Sequence, residues 1–93
     1  MKALYNRTRE FAFEVFPAAT STHHILKMVD EADEVLANTR DVGEYADCLI
    51  CLFSAATKAG ISYEDLVNRT FEKLDINFAR EWTENADGTH QHK

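Results

Sequence analysis

The segment Tyr45-Ala-Asp-Cys-Leu-Ile-Cys-Leu-Phe-Ser-Ala-Ala56 carries a single charge, Asp47, and is otherwise almost wholly apolar. Tyr45, Ala46, Leu49, Leu52, Phe53 and Ala56 recur at helical spacing, and Cys48, Ile50 and Cys51 fill most of the remaining azimuth. A helix that is apolar on nearly every side has to be wrapped by other elements or by a second subunit. The run is too short and too interrupted to cross a bilayer. The chain is therefore constrained to build a helical bundle around this one element.

The flanking sequence reads as three further helices. The first covers about residues 2–15, with Ala3, Leu4, Phe11, Ala12 and Val15 as its apolar members, and Pro17 stops it. Residues 16–21 form a linker, and Ser21 or Thr22 is placed to cap the second helix, which runs to about Leu36. Ile25, Met28, Val29, Ala32, Val35 and Leu36 form its stripe. Asn38-Thr-Arg-Asp41 is a turn, Asp41 caps the third helix over about 42–59, and Gly60 ends it. Ser62, with Asp65 three residues on, opens the fourth, whose buried side is marked by Leu66, Val67, Phe71, Leu74, Phe78 and Trp82. No stretch reads as a convincing strand. The expectation is an all-α bundle of about four helices in a single domain, residues 1–93, with a core over about 16–82 and a loose polar tail at 83–93.

With 93 residues the core is limited, and small chains of this kind often gain stability by assembling. Hydrophobic residues make up 45%, too many for a disordered acidic tail. Ten basic residues against sixteen acidic ones give a net charge of −6, which disfavours extended contact with a nucleic-acid polymer. The first ten residues lack the apolar core of a signal peptide, so a cytoplasmic location is expected. Cys48 and Cys51 form a lone C-x-x-C in mid-helix; without two more ligands they read as a packed, reduced pair rather than a zinc site.

Asp47 carries the chemical argument. An unpaired carboxylate inside an apolar helix is costly to desolvate, so it needs a partner. Glu44 stands three residues before it, and Glu31 and Glu34 repeat that spacing in the preceding helix. Residues three apart share one side of a helix, and a short turn folds two helices into an αα-hairpin. Four carboxylates then meet. Hard oxygen donors of this kind suit Mg²⁺, and Mn²⁺ as well. Taken singly, Glu31, Glu34 and Glu44 are ordinary helix acids, and Glu44 could serve a capping box with Asp41; together with Asp47 they favour a metal. On the fourth helix Lys73, Asn77 and Arg80, spaced by four and three, share a face that can grip phosphate oxygens and a sugar. The competing reading is an exposed polar face tied to Glu72 or Glu81.

Glu31-x-x-Glu34 and, nine residues on, Glu44-x-x-Asp47 resemble the signature of the MazG-like all-α nucleoside triphosphate pyrophosphohydrolases. Lys73-x-x-x-Asn77-x-x-Arg80-x-Trp82 looks like their downstream phosphate-binding helix, and the short gap between the acidic pairs is similar to the compact dATP/dGTP branch. The Gly60 turn and Asp87-Gly88 with His90 fit that branch too. Two positions depart from it: Lys27 is separated from Asp30-Glu31 by Met28-Val29, and Tyr45 stands where a tryptophan is common. Neither removes a ligand. The resemblance implies Mg²⁺-dependent cleavage between the α- and β-phosphates. Glu31, Glu34, Glu44 and Asp47 are then metal ligands, with Glu31 or Glu34 as general base, and Lys73, Asn77, Arg80 and Trp82 bind substrate. It also implies a homodimer or homotetramer.

No Glu-x-x-His motif occurs, which removes a di-iron bundle. His23 and His24 read as surface or substrate-edge groups and His90 and His92 as solvated. Phe16 and Trp82 are the aromatics to test for stacking on a base. A non-catalytic helical interaction protein, and a related phosphohydrolase acting on another nucleotide, remain as rival readings of the same residues.

Overall fold

In the computed structural model the chain forms four helices, α1 (Lys2–Val15), α2 (Ser21–Ala37), α3 (Val42–Lys58) and α4 (Tyr63–Ala79), followed by two short strands, β1 (Trp82–Glu84) and β2 (His90–His92). The structure describes the backbone of residues 1–80, 82–84 and 90–92 and the side chains of residues 1–80. The strands pair antiparallel, Trp82 opposite His92 and Glu84 opposite His90. That ladder corrects the expectation of a tail without strands; the β-branched Thr83 and the aromatic Trp82 suit a pleated pair. The chain divides into two compact units, Met1–Tyr63 and Glu64–Lys93.

Local chemistry accounts for the helix ends. Asp41 caps α3 by accepting from the Gly43 N–H at 2.9 Å. Thr20, rather than Ser21 or Thr22, caps α2. Its hydroxyl accepts from the His23 N–H while its own N–H donates to His23 Nδ1 at 2.9 Å, a reciprocal box in which histidine stands in for the usual glutamate. At the end of α3, Gly60 takes φ 78°. The Ile61 N–H then reaches the Ala56 carbonyl at 3.0 Å and the Gly60 N–H reaches that of Thr57 at 3.1 Å. This is the Schellman arrangement that a left-handed residue permits.

In the first unit α3 packs against both α1 and α2, as its apolar circumference requires. Burial concentrates in its second half, at Cys51 and at Phe53 through Thr57. Tyr5 meets Phe53 edge-on with centroids 5.0 Å apart, and its hydroxyl donates to the Ile61 carbonyl at 2.7 Å. Lys58 closes the end of α1, donating to the Phe16 carbonyl at 2.8 Å with its ammonium over the Phe13 ring.

The buried faces differ from the expected stripes. In α1 the core side is Tyr5, Thr8 and Ala12, with Leu4, Phe11 and Val15 exposed. Thr8 tolerates burial because its hydroxyl donates to the Leu4 carbonyl at 2.8 Å. In α2 the inward face runs through His24, Met28, Glu31 and Val35, while Ile25, Val29 and Leu36 are exposed. In α3 Val42, Tyr45 and Leu52 are exposed, and α4 has no buried residue. The side chain of Trp82 lies outside the described residues.

Candidate metal centre and adjoining cleft

A four-residue turn joins α2 to α3, and Tyr45 secures it by donating to the Thr39 carbonyl at 3.0 Å. Contacts along the pair show its direction. Glu31 meets Glu44 and Asp47. His24, earlier in α2, shares a cleft with Cys51 and Ser54, later in α3. The two helices are therefore antiparallel.

Carboxylate oxygens of Glu31, Glu44 and Asp47 all lie within 4.8 Å of one another. Glu34 is not in that group of three, although its charge acts on Glu44. Glu31 and Glu44 are half-buried and Asp47 is exposed. Asp47 is thus not the desolvated ion that its apolar segment suggests: it lies in the first half of α3, where the helix is still open to solvent. Its proximity to Glu31 and Glu44, not its burial, is what calls for a cation.

The electrostatics agree. Burial holds the Glu44 carboxyl above the usual carboxylate range, and the charges of Glu34, Asp41, Asp47 and Glu31 add to that effect. Lys27 answers part of this charge, its ammonium 3.2 Å from Glu31 Oε1. That hydrogen bond, with the Glu31 charge, raises the lysine above its ordinary value. One exposed lysine against this crowd of acids leaves a negative hollow of hard oxygen donors, which fits a Mg²⁺- or Mn²⁺-sized ion. Cys48 and Cys51 are free thiols, both pushed up by burial and by Glu31, and so are held protonated rather than offered as soft ligands.

Beside the carboxylates opens a cleft of about 430 Å³. It is lined by Phe11, Phe16, Ala19, His23, His24, Lys27, Glu31, Asp47, Ile50, Cys51 and Ser54. Phe16 stands edge-on to Phe11, with centroids 5.5 Å apart, and edge-on to His24. Of these residues, sequence reasoning singled out Glu31, Asp47 and Phe16. His24, expected as a surface or substrate-edge group, is not on the surface: the side chain is buried and lines the cleft. Sequence reasoning treated Lys27 only as a break in a motif, and it missed Ser54. The signal for His24 was available: with Met28, Glu31 and Val35 it falls on one helical face.

Arg80 lies just past the end of α4, outside the helix on which it was expected, and donates to Asn77 Oδ1 at 3.5 Å; within α4 Arg69 pairs with Glu72 at 2.7 Å. Glu72 is thus engaged on its own turn of helix by Arg69. Glu81, Asp87, Gly88 and the side chains of His90 and His92 lie outside the described residues.

Residues 4–93 match the family model of dATP/dGTP pyrophosphohydrolases. The chain belongs to that family. A dATP/dGTP diphosphohydrolase of Salmonella phage PMBT28 is 40% identical over 83 residues, 88% of this chain. The chain spans 28% of that relative's length. A MazG-like pyrophosphohydrolase of cyanophage S-2L, bound to dGDP and three catalytic Mn²⁺ ions per active site, superposes with a TM-score of 0.83 at 30% identity. That match covers 98% of this chain and 94% of the other. The all-α MazG-like fold expected from the acidic pairs is therefore the fold of this family member, and the matched segment runs through both compact units.

Proposed function

We propose that the chain is a Mg²⁺-dependent pyrophosphohydrolase of deoxynucleoside triphosphates, dATP and dGTP foremost, releasing the nucleoside monophosphate and pyrophosphate. One observation carries this reading: the carboxylates of Glu31, Glu44 and Asp47 converge at the edge of a nucleotide-sized cleft. The names of the phage relative and the Mn²⁺- and dGDP-bound state of the cyanophage enzyme support it.

Glu31, Glu44 and Asp47 would hold the divalent cation, with Glu34 beside them. The ion supplies charge neutralisation and Lewis-acid polarisation of the phosphoryl oxygens. The general base is Glu31 or Glu34: one of these carboxylates accepts the proton of the water that attacks the α-phosphorus. The new P–O bond forms as the bond to the bridging α–β oxygen breaks, and pyrophosphate leaves with that oxygen. Lys27 holds the Glu31 carboxylate in place, its ammonium 3.2 Å from Oε1. Lys73 and Arg80 hold non-bridging oxygens, Asn77 bonds the sugar or a phosphate, and Trp82 borders the substrate.

The protein acts as one domain, in the cytoplasm, as a homodimer or homotetramer. Large apolar side chains support the assembly, Leu36 being 76%, Val42 82% and Phe78 88% exposed in the single chain. Among the described residues no helix is long and apolar enough to cross a membrane.

The deciding experiment is product analysis with Mg²⁺ and each deoxynucleoside triphosphate. Pyrophosphate and monophosphate should appear in equal amounts from dATP and dGTP. Asp47→Asn or Glu31→Gln should lower kcat/KM by roughly 100-fold or more in a folded protein. A folded wild type that releases pyrophosphate from no triphosphate, with Mg²⁺ or Mn²⁺, defeats the proposal.

A further inference from the structure

Two buried polar atoms of the first unit have no hydrogen-bond partner among the described residues, His24 Nε2 and Ser54 Oγ. His24 is 8% exposed and Ser54 0%, and both line the cleft next to the carboxylates. An unmet buried donor or acceptor is costly, so it is rare without a use. Serine and threonine on a helix usually escape the cost by bonding back to their own helix. Thr8, Thr57 and Thr70 of this chain do so, to the carbonyls of Leu4, Ser54 and Leu66 at 2.7–2.8 Å. Ser54 does not.

The cleft grades from charged to neutral. Its charged side chains are Lys27, Glu31 and Asp47, all within the carboxylate group or its ion pair. The remaining lining is aromatic, apolar or, at the histidines and Ser54, polar. Burial, with the charges of Lys58 and His23, holds the His24 imidazole below its ordinary value and so neutral near pH 7. The Lys58 ammonium near that end is engaged by the Phe16 carbonyl, and the aromatic edges with two neutral hydrogen-bonding groups suit a flat, uncharged heterocycle.

We infer that His24 Nε2 and Ser54 Oγ read the hydrogen-bonding edge of the substrate's purine base, held against Phe11 and Phe16 while its phosphates lie at Glu31 and Asp47. The inference rests on the nucleotide reading above. A hydroxyl both donates and accepts, and it rotates to suit. It therefore serves the 6-amino group of adenine and the 6-oxo group of guanine equally. A neutral imidazole, through its choice of tautomer, has the same latitude. One pocket can so admit both purines while leaving its own polar atoms unmet, at a cost, when no base is present.

The test is equilibrium binding of dAMP, dGMP, dCMP and dTMP in the presence of Mn²⁺, by calorimetry, which needs no turnover. Wild type should bind the purine monophosphates more tightly than the pyrimidine ones. Ser54→Ala should weaken purine binding by about 5–10-fold, the loss expected for one hydrogen bond, with pyrimidine and Mn²⁺ binding unchanged. It should also raise Tm, because an unpaired hydroxyl is lost and a better helix former gained. A merely structural serine would move Tm and leave purine affinity alone. His24→Phe should likewise erase the purine preference. A wild type without purine preference overturns the inference, and so does a purine-to-pyrimidine ratio that survives Ser54→Ala. Purine binding intact in a protein that releases no pyrophosphate would instead strike only the catalytic proposal.

Discussion

Burial, joined by the charges of four acidic side chains, holds the Glu44 carboxyl protonated to a higher pH than in the unfolded chain. The native state then binds more protons than the unfolded state between the ordinary carboxylate value and the raised one, so stability falls as pH rises through that window. Glu44→Gln removes this dependence. The variant should match wild type at the acid end of the window and become the more stable of the two above it, in urea titrations without divalent ions. The two curves running parallel across the window would remove the electrostatic account. Tyr5 makes an opposite contribution. Its hydroxyl bonds the Ile61 carbonyl and its ring packs on Phe53, so Tyr5→Phe keeps the packing and should cost about 1 kcal/mol, read as a shift in urea midpoint.

Among the elements, α3 depends most on how it ends. Gly60 at φ 78° lets two N–H groups return to the last turn, and open space surrounds the position where a Cβ would stand. The strain of a side chain there is therefore conformational and not a clash. Gly60→Ala should cost about 1 kcal/mol, seen in the same urea midpoint with an unchanged slope. The ends of α1, α3 and the turn at 38–41 were legible in sequence because capping and helix-breaking residues act on their immediate neighbours: Pro17, Asp41 and Gly60 sit where such residues must. Thr20 was not, because its partner is His23, and a histidine that completes a capping box carries no compositional signal.

For the molecule as a whole, the acidic cluster couples ion binding to stability. Mn²⁺ or Mg²⁺ that binds only the folded chain should raise its stability by about 2.7 kcal/mol at one hundred times its dissociation constant. Asp47→Asn should abolish most of that gain while leaving the metal-free protein at least as stable, since one repelling charge is gone. A Tm that ignores divalent ions would remove the metal centre. The exposed Leu36, Val42 and Phe78 belong to the same scale. Sedimentation should show a dimer or larger species at micromolar concentration, and a monomer there would leave those surfaces without an occupant.

The sequence by itself determined what depends on near neighbours: four helices, most of their ends, and two acidic pairs each confined to one side of a helix. Helical period and capping are local, so a short stretch of residues carries them. Tertiary structure alone decided which of the four acids meet, that Asp47 is exposed, and that His24 and Ser54 are buried while Ile25 and Val29 are not. Those outcomes follow from how α2 rotates onto α3. Composition does not fix that angle, because α2 has apolar residues on both of its candidate faces and packing selects one.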